Sequence, residues 1–175
     1  MPVGTLARHN LAIALLQPQI APNTGNVGRL CVATGTPLHL VRPLGFILND
    51  KSLLRSAMDY WPRLNLTVHD DTAQFLATMG ARPLWLFTTK GTRVHWQVSY
   101  ESNACLCFGS ETSGLDPSLL DRYPDRCVRI PQAEDERCLH LSTAAGIGLY
   151  EALRQIAPLD TSQPLNDTDW KQTLS

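Results

Sequence analysis

Three turns of the chain carry residues whose types and spacing could do chemistry. The first is Pro22-Asn23-Thr24-Gly25-Asn26-Val27-Gly28-Arg29, where amides and glycines open a helix and bring a guanidinium onto its first or second turn. Free N–H groups at a helix start and a forked arginine together suit a phosphate, although the same residues also describe an ordinary cap followed by a surface arginine. The second is Phe108-Gly109-Ser110-Glu111-Thr112-Ser113-Gly114-Leu115, directly after an apolar run. Glycines there let a ligand approach backbone amides, and a carboxylate set between them is more than turn geometry needs. The third runs over residues 130–142: Ile130 and Pro131, a charged loop through Arg137, then Cys138, Leu139 and His140 ahead of Ser142.

These turns need strands and helices to hold them. Residues 11–16 form a continuous apolar run of the kind a strand shows when both its faces are buried. Further strands are expected at 37–41, 64–69, 84–88, 105–108 and 128–130. Between them, Asn23 to Gly35 reads as a helix with Gly35 past its end, residues 50–58 as a short helix, Asp71 as the cap of a helix running to Gly80, and Pro117 to Arg122 as another short helix. Ser142 is a good N-cap for a last helix crowded with Ala144, Ala145, Gly146 and Gly148. Interior helix glycines cost about 1 kcal/mol each against alanine, so this pair implies a close approach, by another backbone or inside the core. Strands alternating with helices predict an α/β fold, a mostly parallel sheet with helices on both faces. One domain over residues 11–157 is expected, with residues 1–10 and 158–175 as flexible or peripheral termini and Trp170 able to dock on the body.

Composition narrows the function classes. A chain of 175 residues with formal net charge −1 is no general polyanion binder, so any RNA contact has to come from local basic groups. The apolar runs are too short to cross a membrane, and the start of the chain has no apolar signal segment. Five cysteines at irregular spacing fit free thiols in a reducing cytoplasm better than a disulfide framework, and no ligand set for a metal is completed. A nicotinamide-binding fold would carry GxGxxG after the first strand, and a P-loop would carry GxxxxGK[ST]; neither occurs.

In this order the three turns resemble the three motifs of the SpoU branch of the SPOUT RNA methyltransferases. The match extends over residues 11–155, with Asp59-Tyr60, Thr88-Thr89-Lys90-Gly91 and Tyr150-Glu151-Ala152 in the expected places, and is nearest to the single-domain members that methylate the tRNA wobble ribose, cytidine or uridine 34. The resemblance implies a C-terminal deep trefoil knot, a homodimer packed through the small-residue helix, and S-adenosylmethionine held bent in the knot. On that reading Phe87, Thr88, Gly109, Ser110, Glu111, Ile130, Cys138 and Leu139 bind the cofactor. Arg29, Asn23, Glu111 and His140 form the catalytic set, and the partner is a tRNA anticodon stem-loop with neither metal nor membrane required. Arginine is a poor general base, since its guanidinium stays protonated, and is better cast as a clamp on phosphate or developing alkoxide. Three positions depart from the pattern: Ser113 stands for arginine, Cys138 for serine and His140 for asparagine. They leave room for a catalytically weakened dimer that binds cofactor or RNA, or for another RNA site. By resemblance His140 also lies near the cofactor's sulfonium, which favours a neutral imidazole.

Overall fold

The computed structural model describes residues 6, 8–48, 60–134 and 138–156. The chain forms β1 (Ala12–Leu16), α1 (Ala21–Thr34), β2 (Leu38–Val41), β3 (Leu66–His69), α2 (Thr72–Met79) and β4 (Leu84–Phe87). It continues as β5 (Arg93–Val94), β6 (Cys105–Phe108), α3 (Pro117–Arg122), β7 (Cys127–Arg129) and α4 (Leu141–Ile156). The strands make one parallel sheet in the order β3-β2-β1-β6-β4-β7-β5. Every residue of β1, β2, β4 and β6 is buried, which is why those stretches run apolar without alternation. The six expected strands are all present. The edge strand β5 was not anticipated, because two residues hold no periodicity to detect. The helix expected over 50–58 and the docking of Trp170 fall outside the described residues.

Alternate residues of the central strands feed two apolar cores, one per face. Ile13, Leu15, Leu40, Leu106 and Phe108 meet Val27 and Cys31 of α1 and Ala145, Leu149 and Leu153 of α4. Ala12, Ala14, Leu86, Cys105 and Cys107 meet Phe75 and Met79 of α2 and Leu119 of α3. Helices thus cover both faces, as parallel sheets require.

Helix ends decide where functional side chains point. Asp71 caps α2, its carboxylate accepting from the Gln74 amide at 2.7 Å. Gly35 ends α1 in the left-handed region at φ 70°, a conformation glycine adopts without a Cβ penalty. Two expectations need correction. Helix α1 starts at Ala21 with Ile20 at the cap position, which leaves Asn23 inside the first turn and Arg29 on the third. Helix α4 starts at Leu141, its Ala144 N–H bonding the His140 carbonyl at 2.9 Å, so Ser142 lies within the first turn and caps nothing.

The last strand is laid between β4 and β5, which a short link, residues 88–92, had already joined. The link crosses β7 at close range: the Thr88 amide bonds the Val128 carbonyl at 2.9 Å, and a Cβ on Gly91 would stand 2.5 Å from the carbonyl carbon of Val128. Only glycine fits that crossing. This strand order is compatible with the knot that the resemblance implies, an exception to the usual rule of unthreaded connections.

On the α2 face, His39 and His69 share a hydrogen bond at 3.0 Å, stack at 5.3 Å and are closed over by Phe75. Burial, the His69 ring and the Arg82 cation push the His39 imidazole down from 6.5 to about 4. An unfolded chain therefore takes up a proton that the folded one refuses, so this contribution is complete above about pH 6.5 and is lost as pH falls toward 4. Urea unfolding at pH 7 and pH 4 should show the wild type losing about 3 kcal/mol through this group alone. The His39→Gln protein should show a correspondingly smaller pH dependence; an identical slope would mean that His39 is not the group being titrated.

Candidate active site

The carboxyl ends of β4, β6 and β7 open into segments whose described residues, 88–91, 109–115, 130–134 and 138–140, contribute to the wall of a cavity of about 540 Å³. Strand ends of a parallel sheet point backbone groups at such a crevice, and the volume suits a nucleoside-sized ligand. The floor is aromatic: Phe87 and Phe108 stack at 4.6 Å, and Gly148 of α4 lies so near the Phe87 ring that a Cβ would come within 2.7 Å. Gly148 is therefore explained by a ring inside the same chain and not by an approaching backbone. Gly146 faces open space.

The loop after β6 is closed on itself. Ser110 and Gly114 exchange backbone hydrogen bonds at 3.1 and 2.9 Å, Gly114 takes φ 71°, and a Cβ on Gly109 would stand 2.0 Å from the Gly114 carbonyl carbon. The buried Ser110 hydroxyl is used inside this turn, meeting the Ser113 amide at 3.1 Å and the Ser113 hydroxyl at 2.8 Å. Ser113 thus completes a hydroxyl cluster at the cavity wall.

Glu111 turns away from that cluster toward the start of α1. Its carboxylate accepts from the amides of Gln19 at 2.8 Å and Ile20 at 3.3 Å and from the Asn23 side chain at 3.0 Å. The uncapped helix start leaves these donors available, and a negative charge there also meets the positive end of the helix dipole. Asn23 is consequently oriented by a residue 88 positions away.

All the expected cofactor residues, Phe87, Thr88, Gly109, Ser110, Glu111, Ile130, Cys138 and Leu139, line this one cavity, as do Asn23 and His140. Arg29 does not: it is exposed on α1. Its guanidinium is close enough to Tyr60 to oppose the upward push that burial gives the phenol, and Tyr60 packs with Trp61 and Leu64 against Gly28. Lys90 and Gln132 also line the cavity and were not singled out from the sequence. Lys90 sits in the Thr88-Thr89-Lys90-Gly91 segment, which was the signal available for it. Among the described residues no group of three or more His, Cys, Asp or Glu side chains is placed to hold a metal, and no helix is long and apolar enough to cross a membrane.

A parallel seven-stranded sheet with helices on both faces and a cavity at its strand ends defines an α/β protein of the SPOUT class. Comparison with known proteins narrows this. A model of the SpoU rRNA Methylase family matches residues 10–150. A tRNA (cytidine(34)-2′-O)-methyltransferase of Methylovorus glucosotrophus is 44% identical over 144 residues, covering 82% of this chain and 94% of the relative. The protein of the same name from Escherichia coli K12 is 44% identical over 147 residues, covering 83% and 94%. A solved structure described as giving insight into 2′-OH methylation of cytidine or uridine 34 on tRNA superposes with a TM-score of 0.81 at 37% identity, over 89% of this chain and 99% of that one. The chain belongs to the SpoU methylase family.

Glu111→Gln should expose how far one carboxylate holds the site together. The amide removes the charge and one acceptor oxygen, and hydrogen bonds to a charged group contribute roughly 1.5–3 kcal/mol. Chemical denaturation should register a loss of that order; unchanged stability would show that water replaces the carboxylate without consequence.

Proposed function

We propose that the protein transfers a methyl group from S-adenosylmethionine to the ribose 2′-hydroxyl of the tRNA wobble nucleotide, as a cytoplasmic homodimer that grips the anticodon stem-loop. The convergence of the loops after β4, β6 and β7 on one cavity, in a chain 44% identical to tRNA (cytidine(34)-2′-O)-methyltransferases, carries this reading.

The residues present fit the cofactor. Gly109 and Gly114 bring bare backbone to the cavity wall, Leu115, Leu120, Leu141 and Ala144 give apolar surface for a base, and Lys90 offers a cation for a carboxylate. When bound, the cofactor supplies an electrophilic methyl group. The protein's task is then to hold the ribose oxygen in line and exclude competing geometries. Glu111 fixes the start of α1 and with it Asn23 at the cavity edge. Arg29, exposed and outside the cavity lining, is placed to clamp an RNA phosphate, a role that its planar fork suits.

The dimer reading draws on α4. Ile147 is 37% and Tyr150 54% exposed, beside a Gly146 whose missing Cβ would meet nothing within 4 Å. Gly146→Leu should leave the monomer folded, and even favour the helix by up to about 1 kcal/mol, while disrupting a close contact between copies. Sedimentation should show monomer where the wild type is dimeric; an intact dimer would place the interface elsewhere.

The activity itself is tested by labelled methyl transfer to bulk tRNA from a strain lacking the wobble modification, followed by nucleoside mapping. Arg29→Ala should bind S-adenosylmethionine as the wild type does but transfer methyl at least ~10²-fold more slowly, with Arg29→Lys rescuing little. Near-normal turnover by Arg29→Ala would remove the phosphate clamp from the reading.

A further inference from the structure

Forming an ether at the ribose 2′-oxygen releases that oxygen's proton, and a positioned acceptor accelerates such transfers by about 10²–10⁴-fold. Arg29 cannot take it, being permanently protonated and outside the cavity lining. Among the described residues that line the cavity, the titratable side chains are Lys90 on the β4–β5 link, Glu111 on the loop after β6, and Cys138 and His140 on the loop entering α4. A lysine ammonium has no lone pair, and a thiol is a weak acceptor. Glu111 has both oxygens engaged by Gln19, Ile20 and Asn23, so protonating it would loosen the helix start that orients the site. His140 differs from all three. Its carbonyl is fixed by the Ala144 amide at 2.9 Å as α4 opens, while its exposed ring has no hydrogen-bond partner among the described residues.

We propose that His140 is the catalytic residue that accepts the 2′-hydroxyl proton, an inference that rests on the methyl-transfer reading above. The ribose oxygen gains the methyl carbon and gives its proton to the free imidazole lone pair. The electron pair of the broken carbon–sulfur bond stays on the donor sulfur, which becomes a neutral thioether. The imidazolium then loses its proton to water at the open rim. An asparagine at this position, which the resembled enzymes carry, can hold a hydroxyl but cannot take its proton. This protein is thereby given an acceptor that the resembled enzymes lack at this position.

Single-turnover methyl transfer at saturating S-adenosylmethionine, with unmodified tRNA and pH varied from about 5.5 to 8.5, tests this. The wild-type rate should fall tenfold per pH unit along the acid limb, since only the neutral ring accepts. His140→Asn and His140→Gln should be at least ~10²-fold slower at pH 7.5 and lose that limb, while dissociation constants for S-adenosylmethionine and tRNA, measured separately, stay unchanged. Imidazole added to His140→Ala should restore part of the rate, which a merely structural role would not allow. Wild-type rates in His140→Asn, or an acid limb retained there, would overturn the proposal while leaving the methyltransferase reading intact. No transfer by the wild type to any tRNA would overturn that reading and the proposal with it.

Discussion

The site depends on one carboxylate that joins two distant parts of the chain. Glu111 leaves the β6 loop, walled by Gly109 and Gly114, and ends against the amides that open α1. Without it, the start of α1 would have no cap, because Ile20 offers no side-chain acceptor. Asn23 would then lose the acceptor that orients its side-chain amide. The interaction thus does two jobs: it anchors the helix to the loop after β6, and it keeps an amide pointed at the cavity edge. Gln19 is held from the other side as well, since Gly45 lies so close that a Cβ would come within 2.6 Å of the Gln19 carbonyl oxygen. Gripped between Gly45 and Glu111, the segment entering α1 is a fixed wall.

Close backbone crossings set the remaining geometry. The 88–92 link must pass over β7 with almost no clearance at Gly91, and the β6 loop must fold onto itself at Gly109. These two glycines are used for space and not for a positive φ, which among the described glycines Gly35, Gly80 and Gly114 adopt. With such contacts the cavity is built mostly from main chain, so its shape follows from strand order more than from side-chain choice. Rigid backbone walls are what a positioning site requires, since in-line attack tolerates little misplacement.

Much of this was legible in the sequence, and the failures have a common cause. Apolar runs exposed six of the seven strands; glycines marked the loop after β6, while the loop after β7, which holds none, was marked by Pro131 and its charged residues. What escaped depended on partners far along the chain. Asn23 looked like a cap because local spacing cannot reveal Glu111 88 residues away, and the helix start and the turn carrying Arg29 were misplaced with it. Gly148 suggested an approaching backbone, whereas its neighbour is the Phe87 ring, over sixty residues earlier. Strand order leaves no trace in hydrophobic period at all, and neither the motifs nor the resemblance gave it.

The three departures from the family pattern, Ser113, Cys138 and His140, fall on the wall of a single cavity. Their chemistry also runs in one direction. Ser113 joins Ser110 in a neutral hydroxyl cluster where an arginine would have brought a fixed cation. Cys138 is a weaker hydrogen-bonding group than serine, and His140 adds a lone pair that can take a proton. Together they make this wall less cationic and more basic than the pattern it departs from. A wall of that character would rely less on fixed charge to hold a developing alkoxide and more on removing its proton, so the three substitutions are coherent with a shift from electrostatic stabilisation toward acid–base catalysis on an unchanged scaffold.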